Sequence, residues 1–404
     1  MSPPTRALSQ TEFVALSAML VATIAFSIDS MLPALPEIGR DLSPGAPNVA
    51  QLVIVSFVFG MGAGTLFAGP LSDAFGRKRL IVAGAILYCL AAVAAVFAPS
   101  LEALLVARVI QGIGASGPRV AAQAMVRDLY SGRAQARVSS FIMMTFTLVP
   151  AMAPLIGSFI IAGFGWRGIF ASFVVFSAIS TLWLGLRQPE TLPPERRRPL
   201  DLGRLRAAAR EVLVHPNVRR AILVQTCIFG LLFATISSIQ QVYEVFFDRA
   251  DSFPYWFALV ALVSAGASFV NARVVERLGM IWLIRRALLA HLSLSVLLLL
   301  SWTLVPETLR FPLFLVWQAA SFSLAGLSIG NVQAIAMQPL GHIAGMASSV
   351  IAAVSTVGAV AIAAPIGLAF DGTPLPLLVG TALCGLAGLW LARRLEEEPA
   401  AVAA

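Results

Sequence analysis

The charged stretch Gly69-Pro-Leu-Ser-Asp-Ala-Phe-Gly-Arg-Lys78 is followed almost directly by the apolar block Leu80-Ile-Val-Ala-Gly-Ala-Ile-Leu-Tyr-Cys-Leu-Ala-Ala-Val-Ala-Ala-Val-Phe-Ala98. The block contains no charged residue, and about 20 apolar residues are what a helix needs to cross a bilayer. The stretch before it places Asp73, Arg77 and Lys78 close together. A charged loop followed by an uninterrupted apolar block is typical of a protein that crosses a membrane several times.

The composition of the whole chain supports this interpretation. The 404 residues are 58% hydrophobic and 12% charged, whereas soluble domains carry about 25% charged residues. The net charge of +8 does not indicate a nucleic-acid partner, because the basic residues cluster in short loops between apolar blocks. Twelve membrane spans are predicted, at roughly 13–35, 49–70, 80–98, 102–126, 137–162, 168–187, 218–243, 254–275, 282–305, 311–336, 346–370 and 375–392.

One long Pro- and Arg-rich loop divides these spans into six and six. We therefore predict a bundle over residues 1–187, a linker over 188–217 with a short surface helix, and a bundle over 218–404. The halves are weakly similar, since aligning Gly76 with Gly279 pairs Asp73 with Glu276. The predicted fold is an all-α integral membrane protein with two pseudo-symmetric six-helix bundles, a plan in which the substrate site lies between the repeats.

The distribution of Arg and Lys predicts the orientation. The long loop and most short basic loops fall on one side, which the positive-inside rule assigns to the cytoplasm together with both termini. The first apolar block is followed by Pro36-Glu37, not by a small-residue cleavage site, so we expect a retained first helix. The basic residues on the opposite side are only Arg40, Arg167, Arg249 and Arg310.

The sequence gives no indication of a metal, a cofactor or an enzyme site. Each of the three cysteines lies inside an apolar block, and the three histidines are far apart with no ligand spacing. Phosphate-binding, dinucleotide and hydrolase motifs are absent from the sequence.

Among the ionisable residues inside predicted spans, three bear on function. Asp29 is the one acid of the first span, roughly 24 Å from its cytoplasmic end at 1.5 Å per residue. Arg108 in the fourth span lies at a similar depth, and pairing the two charges would offset much of the cost of burying each. Arg119 shares a helix face with Arg108, because eleven steps of about 100° nearly complete three turns; the alternative is that it extends to the cytoplasmic surface. Intramembrane charges of this kind are usually functional.

At these motifs the chain resembles the major facilitator superfamily. Gly69 to Lys78 is similar to the family's loop between helices two and three, and Arg108-Val-Ile-Gln-Gly-Ile-Gly114 to its fourth-helix motif. Leu148-Val-Pro-Ala-Met-Ala-Pro-Leu-Ile-Gly157 resembles the fifth-helix motif of drug–proton antiporters. Asp29-Ser-Met-Leu-Pro-Ala-Leu-Pro36 resembles the bicyclomycin and chloramphenicol resistance branch.

The resemblance implies that helices one and four both line the cavity, which would bring Asp29 and Arg108 together. Asp29 would carry the coupling proton and Arg108 would tune it. The loop residues Gly69, Asp73, Gly76, Arg77 and Lys78 would form a cytoplasmic gate, while Pro150, Pro154 and Gly157 would bend and pack the fifth helix. Polar cavity-lining residues are expected to be Gln111, Arg119, Gln123, Gln225, Gln240, Tyr243, Asn331 and Gln333.

The expected function is proton-driven export of small amphipathic compounds, among them antibiotics, by alternating access in the inner membrane. The expected partners are a small-molecule substrate, protons and lipids, with the chain acting as a monomer and without a cofactor or nucleic acid. Two alternatives stay open: an uptake or metabolite-efflux facilitator of the same fold, and a non-transporting membrane enzyme or sensor.

Overall fold

The computed structural model describes residues 8–397, apart from the side chains of Ala136, Thr145, Phe146 and Thr147, and over that range every regular element is a helix. In chain order these are α1 Gln10–Asp29, α2 Leu35–Leu42, α3 Leu52–Phe75, α4 Arg77–Val96, α5 Leu101–Leu129, α6 Gly132–Arg187, α7 Leu202–Val214, α8 Pro216–Gln241, α9 Phe253–Leu278, α10 Met280–Ser301, α11 Glu307–Met337, α12 Ala344–Leu368 and α13 Leu375–Ala392. Short 3₁₀ segments lie at Leu32–Ala34, Pro47–Gln51, Pro194–Arg196 and Gln338–Ile343, and one π-helical turn at Val242–Phe246.

Nine helical segments of the described range are long and apolar enough to cross a membrane. Two of them, Gly132–Arg187 and Glu307–Leu368, have 56 and 62 residues. Each is long enough for two crossings of a hydrocarbon core about 30 Å thick. Helix α5 is less apolar because it carries Arg108 and Arg119, yet its 29 residues have the length of a span. If each of these two segments crosses twice and α5 crosses once, the nine segments together with α5 give the twelve predicted membrane crossings.

The break inside α6 lies where the sequence places the connection between the fifth and sixth spans. Gly165 has φ +64° and ψ −177°, a conformation that side chains with a Cβ rarely adopt. The next residue, Trp166, donates its indole N–H to Asp41 at 2.8 Å. Pro150 and Pro154 both lie within helical backbone on the N-terminal side of this break.

Two other glycines shape the connections between consecutive long helices. Gly76 between α3 and α4 has φ +103°, and Gly279 between α9 and α10 has φ +80°. These are the two positions that the comparison of the halves aligns. A tight turn with positive φ at both therefore agrees with a duplicated unit.

The first membrane segment is interrupted near its middle. Helix α1 begins after Ser9, whose hydroxyl accepts from the Glu12 N–H at 3.2 Å, and it ends at Asp29. Pro33 and Pro36 lack the N–H that would continue the helical ladder. The chain instead passes through a 3₁₀ turn into α2, so Asp29 lies at a helix break and not inside a continuous helix.

The helices form two compact units. Within the described range, one contains the residues up to Leu202 together with Ala250–Ala258, and the other contains Gly203–Arg249 and the residues from Leu259 to Glu397. In the first unit α5 packs against α3 and α4, and α1 against α6. In the second, α8 packs against α11, α12 and α13. The linker helix α7 is amphipathic, with Leu205, Ala208 and Val212 buried.

Large apolar side chains remain exposed on the outer faces of the helices. Phe97, Phe159, Phe164 and Leu304 are 73% to 83% exposed. A water-soluble protein rarely exposes apolar patches on this scale, whereas lipid chains accept them. The chain is a multi-pass membrane protein.

Candidate functional site

The buried arginine of α5 connects three helices of the first unit. Arg108 is 0% exposed. Its guanidinium donates to the backbone oxygen of Ser27 on α1 at 3.0 Å and to that of Val53 on α3 at 3.1 Å. It also donates to Gln111 Oε1 at 2.7 Å and lies over the ring of Phe57, 4.4 Å from the ring centroid. Hydrogen bonds to a charged donor are stronger than neutral ones, so this arginine ties α1, α3 and α5 together.

A second bond joins α1 to α4 at the same level. The hydroxyl groups of Ser27 and Tyr88 are 2.5 Å apart, and both residues are buried. Ser27 therefore contacts α5 through its carbonyl and α4 through its hydroxyl. The sequence analysis missed Ser27 and Tyr88, although each is a polar residue inside an apolar block.

Asp29 lies two residues beyond Ser27 and is 4% exposed. The predicted contact between α1 and α5 is present, but it is made by the carbonyl of Ser27. Within residues 8–397 no ion pair joins Asp29 to Arg108. Depth along the membrane normal was the basis of the predicted pair, and depth does not determine which way a side chain points around its helix.

The fifth-helix motif packs against the same break in α1. A Cβ on Gly157 would overlap the backbone oxygen of Ser30, the residue after Asp29. Only glycine allows this approach of the two backbones. Pro154 is buried one turn earlier, and its carbonyl accepts from the Ser158 hydroxyl at 3.0 Å. Asp29 is thus bracketed by a residue bonded to Arg108 and a residue packed on α6.

Close backbone packing also positions α5 against α3. A Cβ on Gly60 would overlap the carbonyl oxygen of Val109, and one on Gly112 would overlap that of Phe57. One turn further, a Cβ on Gly64 would lie 2.5 Å from Ser116 Oγ. These contacts fix the two helices side by side over their middle turns.

Arg119 is placed differently from Arg108. It is half-buried, and its one hydrogen-bonding contact among the described residues is to the sulfur of Met61 on α3, at 3.8 Å. Gln123 lies one turn further along α5 and is exposed. Gln111 is the remaining predicted residue on this helix. Its side-chain oxygen accepts from Arg108, and its buried amide nitrogen has no partner within residues 8–397.

The predicted polar residues of the second unit fall into separate groups. The hydroxyl of Tyr243 donates to Gln318 Oε1 at 2.7 Å, deep between α11 and the π-helical turn after α8. Asn331 donates to Asn271 Oδ1 and to the Leu327 carbonyl, both at 2.8 Å. Gln225 and Gln240 are buried on α8, and in the described part of the chain their side-chain oxygens have no partner. Gln333 is half-buried.

A further polar group in this unit was not predicted. His291 Nε2 and Ser321 Oγ are 3.0 Å apart, and the Trp317 indole donates to Ser295 Oγ at 2.9 Å. All four residues are buried between α10 and α11. The histidine lies 1% exposed, so it is a packed core residue and not an accessible ligand.

The loop after α3 forms a network of charged groups. Arg77 pairs with Asp73 and donates to Asp128 Oδ2 at 3.1 Å and to the Ser72 hydroxyl at 2.9 Å. Gly69, the first residue of the motif, lies within α3. Lys78 reaches the Gly185 carbonyl on α6 at 2.8 Å. Four of the predicted gate residues therefore lie together at one end of the first unit.

An acid that the sequence analysis missed completes this network. The carboxylate of Glu190 accepts from the backbone N–H groups of Arg77 and Lys78, at 2.9 and 3.2 Å. These are the first residues of α4, where the helix dipole favours negative charge. Glu190 therefore caps α4, while Asp73 pairs with Arg77.

The comparisons with known proteins agree with this architecture. The family description Major Facilitator Superfamily matches residues 15–365. A bicyclomycin resistance protein homolog of Haemophilus influenzae is 33% identical over 267 residues, which cover 65% of this chain and 66% of that protein. Multidrug resistance protein MdtL of Klebsiella pneumoniae is 28% identical over 389 residues, covering 93% of this chain and 94% of its own.

Among solved structures, a D-xylose–proton symporter superposes with a TM-score of 0.74. The match covers 96% of this chain and 98% of the symporter at 16% identity, so it supports the fold alone. The family match covers most of the chain, and the family consists of transporters, not enzymes. This chain is therefore a membrane transporter of the Major Facilitator Superfamily, with sequence relatives among the bicyclomycin and multidrug resistance proteins.

Proposed function

We propose that this chain is a proton-coupled exporter of small amphipathic compounds, antibiotics among them, in the inner membrane. The observation that carries the proposal is Asp29, a buried carboxyl group at a helix break with no ion-pair partner in the described range. An acid in such a place is costly as a bare carboxylate and is usually functional. The names of the relatives support export of drugs as the direction and the cargo.

The residues around Asp29 connect its protonation state to other helices of the first unit. Ser27 before it is bonded to Arg108 and Tyr88, and Ser30 after it touches Gly157. A carboxylate needs water or hydrogen-bond donors that a neutral acid does not. Gaining or losing the proton would therefore change the hydration of the break in α1, and the residues on either side would transmit that change to α5 and α6.

The cytoplasmic network is proposed to hold one end of the first unit in a defined arrangement. Arg77 is the residue on which it converges, with Asp73, Asp128 and Ser72 as side-chain partners. Its bonds must either persist or rearrange together during the transport cycle. We propose a cytoplasmic location for this loop, the linker and both termini, with residues 1–187 and 218–404 moving as two bundles of one monomer.

The substrate would contact polar side chains of both halves. The candidates in the first half are Gln111, Arg119 and Gln123, and those in the second half are Gln225, Gln240, Tyr243, Asn331 and Gln333. Unsatisfied amide oxygens such as those of Gln225 and Gln240 suit hydrogen-bond donors on a ligand, since a buried acceptor without a partner is costly.

Transport in vesicles tests the proposal. Purified protein is reconstituted with a compound selected by growth of an efflux-deficient strain, and accumulation is followed with and without a pH gradient. Asp29→Asn should abolish gradient-driven accumulation while leaving exchange of substrate down its own gradient. Asp251→Asn, which neutralises an exposed acid between α8 and α9, is the matched control and should transport at the wild-type rate.

The alternatives predict different outcomes. A facilitator would equilibrate the compound and ignore the pH gradient in the wild-type protein. A membrane enzyme or sensor would move no compound at all. If Asp29→Asn still accumulates substrate against its gradient at the wild-type rate, the proton site lies elsewhere in the chain.

A further inference from the structure

The second arginine of α5 lies inside the membrane segment, and none of the described residues is an anionic partner for it. Arg119 is 18 residues after the first residue of α5 and 10 before its last. Its guanidinium is directed toward Met61, which is near the middle of α3. Gly64 and Ser116, which touch each other, lie between these two residues along their helices.

This direction decides between two interpretations of the residue. An arginine that extends to the cytoplasmic surface would point toward Leu129, the cytoplasmic end of α5 under the predicted orientation. The contact with Met61 instead requires the side chain to point back along the helix toward its centre. The charge is therefore held within the membrane segment.

The guanidinium has almost no internal acceptor. Arg108, on the same face, donates to three oxygen atoms and lies over Phe57. Arg119 has only a thioether sulfur, which is a weak acceptor. Within residues 8–397 no carboxylate pairs with it, and the acid nearest to it on α5, Asp128, is bonded to Arg77 and Thr191.

A guanidinium in such a position calls for an acceptor from outside the chain. Charged side chains inside membranes nearly always pair or face water, because an isolated charge costs several kcal/mol. Arg119 as a residue is half-buried, so it is not enclosed on every side by its own unit. Its planar, always charged head group matches a carboxylate in two parallel hydrogen bonds.

Resting on the proposed function, we propose that Arg119 binds the carboxylate of an exported small organic acid, so that amphipathic monoanions form a substrate class of this transporter. One guanidinium neutralises one negative charge, which favours a monoanion over a phosphate or sulfate dianion. The exposed amide of Gln123, one turn away, offers a further donor.

Binding to matched pairs of ligands tests the proposal without requiring transport. The probes are a panel of radiolabelled aryl carboxylates, 2-naphthoate among them, each paired with its primary amide of the same shape. Equilibrium binding is measured on purified protein in lipid nanodiscs. Wild-type protein should bind at least one carboxylate tenfold or more tightly than its amide, and Arg119→Gln should reduce that ratio below threefold. Arg119→Lys should keep part of the preference.

The control removes the same charge from the same helix. Arg127→Gln lies two turns beyond Arg119, where the side chain is exposed, and should retain the wild-type ratio. Thermal unfolding separates binding from folding. Arg119→Gln should melt within about 2 °C of wild type because it loses only the weak contact with the Met61 sulfur, whereas Arg108→Gln should melt well below it.

Two results would overturn the inference: equal binding of every carboxylate and its amide by the wild-type protein, or a preference that survives in Arg119→Gln. Neither result touches proton-driven export of neutral compounds, which the Asp29 experiment tests separately. A carboxylate preference that depends on Arg119 would conversely stand even if the pH gradient drove no transport.

Discussion

The two halves of the molecule share a tight turn between two long helices, but different side chains surround it in each half. Gly76 and Gly279 both have positive φ, and a carboxylate from the segment after each half's last helix lies beside each glycine. In the first half Glu190 accepts from the N–H groups of Arg77 and Lys78. In the second, Glu397 accepts from the Ile281 N–H at 2.7 Å.

The difference lies in the residue that follows the glycine. In the first half it is Arg77, which binds Ser72, Asp73 and Asp128. In the second half it is Met280, and Glu276, which aligns with Asp73, is exposed. The backbone turn and its carboxylate cap occur in both repeats, whereas the ion-pair network occurs in one. The turn is thus a requirement of the fold, and the network is an addition that fits a gate.

Exchanging the two residues after the glycines should give the largest effect. Arg77→Met leaves Asp73 and Asp128 without their partner in a partly buried network, so we expect a loss of about 2–3 kcal/mol in the free energy of unfolding. Met280→Arg, on a half-buried position without such a network, should change it by less than about 0.5 kcal/mol. Denaturant unfolding in mild detergent measures both.

A similar loss of unfolding free energy from both exchanges would contradict the comparison. It would mean that the second turn depends on Met280 as much as the first depends on Arg77. Arg77→Lys sharpens the comparison. Lysine keeps the charge but not the planar fork that reaches three side chains at once, so an intermediate loss is expected.

Alanine at the two glycines should give the next largest effect. Both have φ and ψ that are nearly restricted to glycine, so each substitution should cost about 1–3 kcal/mol through backbone strain. Gly76→Ala should cost more, because its Cβ would lie 2.5 Å from Glu190 Oε2, while the nearest atom to a Cβ on Gly279 is 3.8 Å away. Melting temperatures in detergent compare the two.

The matched double variant isolates the reason. If the extra cost of Gly76→Ala comes from displacing the carboxylate, it should shrink when Glu190 is already alanine. An undiminished cost would assign the whole effect to backbone conformation, and the two turns would then be equivalent.

Much of the fold could be predicted from the sequence. Apolar blocks of span length and basic loops on one side located the helices, and the connection between the fifth and sixth spans was placed within a few residues of Gly165. The short surface helix of the linker is α7. Helical rise and length are local properties, so a single chain suffices to estimate them.

The candidate site was harder, since it depends on contacts between distant segments. Glu190 caps a helix that starts 113 residues earlier in the chain. No local sequence pattern predicts a contact between residues this far apart. The predicted pair of Asp29 and Arg108 had the right helices, but Arg108 bonds to the Ser27 carbonyl. Backbone acceptors are identical at every residue, so sequence alone cannot indicate which one a buried arginine will find.

Removing the carboxylates of Glu190 and Glu397 should have the smallest effect on stability. The local effect, on hydrogen exchange at the start of the following helix, should be easy to assign. Glu190 accepts from four backbone N–H groups, those of Arg77, Lys78, Thr191 and Leu192. Glu190→Ala should therefore cost about 1–2 kcal/mol, as loss of a helix cap does, and should speed hydrogen exchange at the start of α4.

The matched variant, Glu397→Ala, removes one acceptor from an exposed carboxylate and should cost less than about 0.5 kcal/mol. Its exchange should rise at Ile281, because that N–H is the donor to Glu397 in the described part of the chain. Mass spectrometry of peptides from the two turns measures both effects in the same sample. Equal acceleration of hydrogen exchange at α4 and α10 would show that the two carboxylates stabilise their turns to the same extent. The only difference left between the two halves would then be the ion pairs of Arg77.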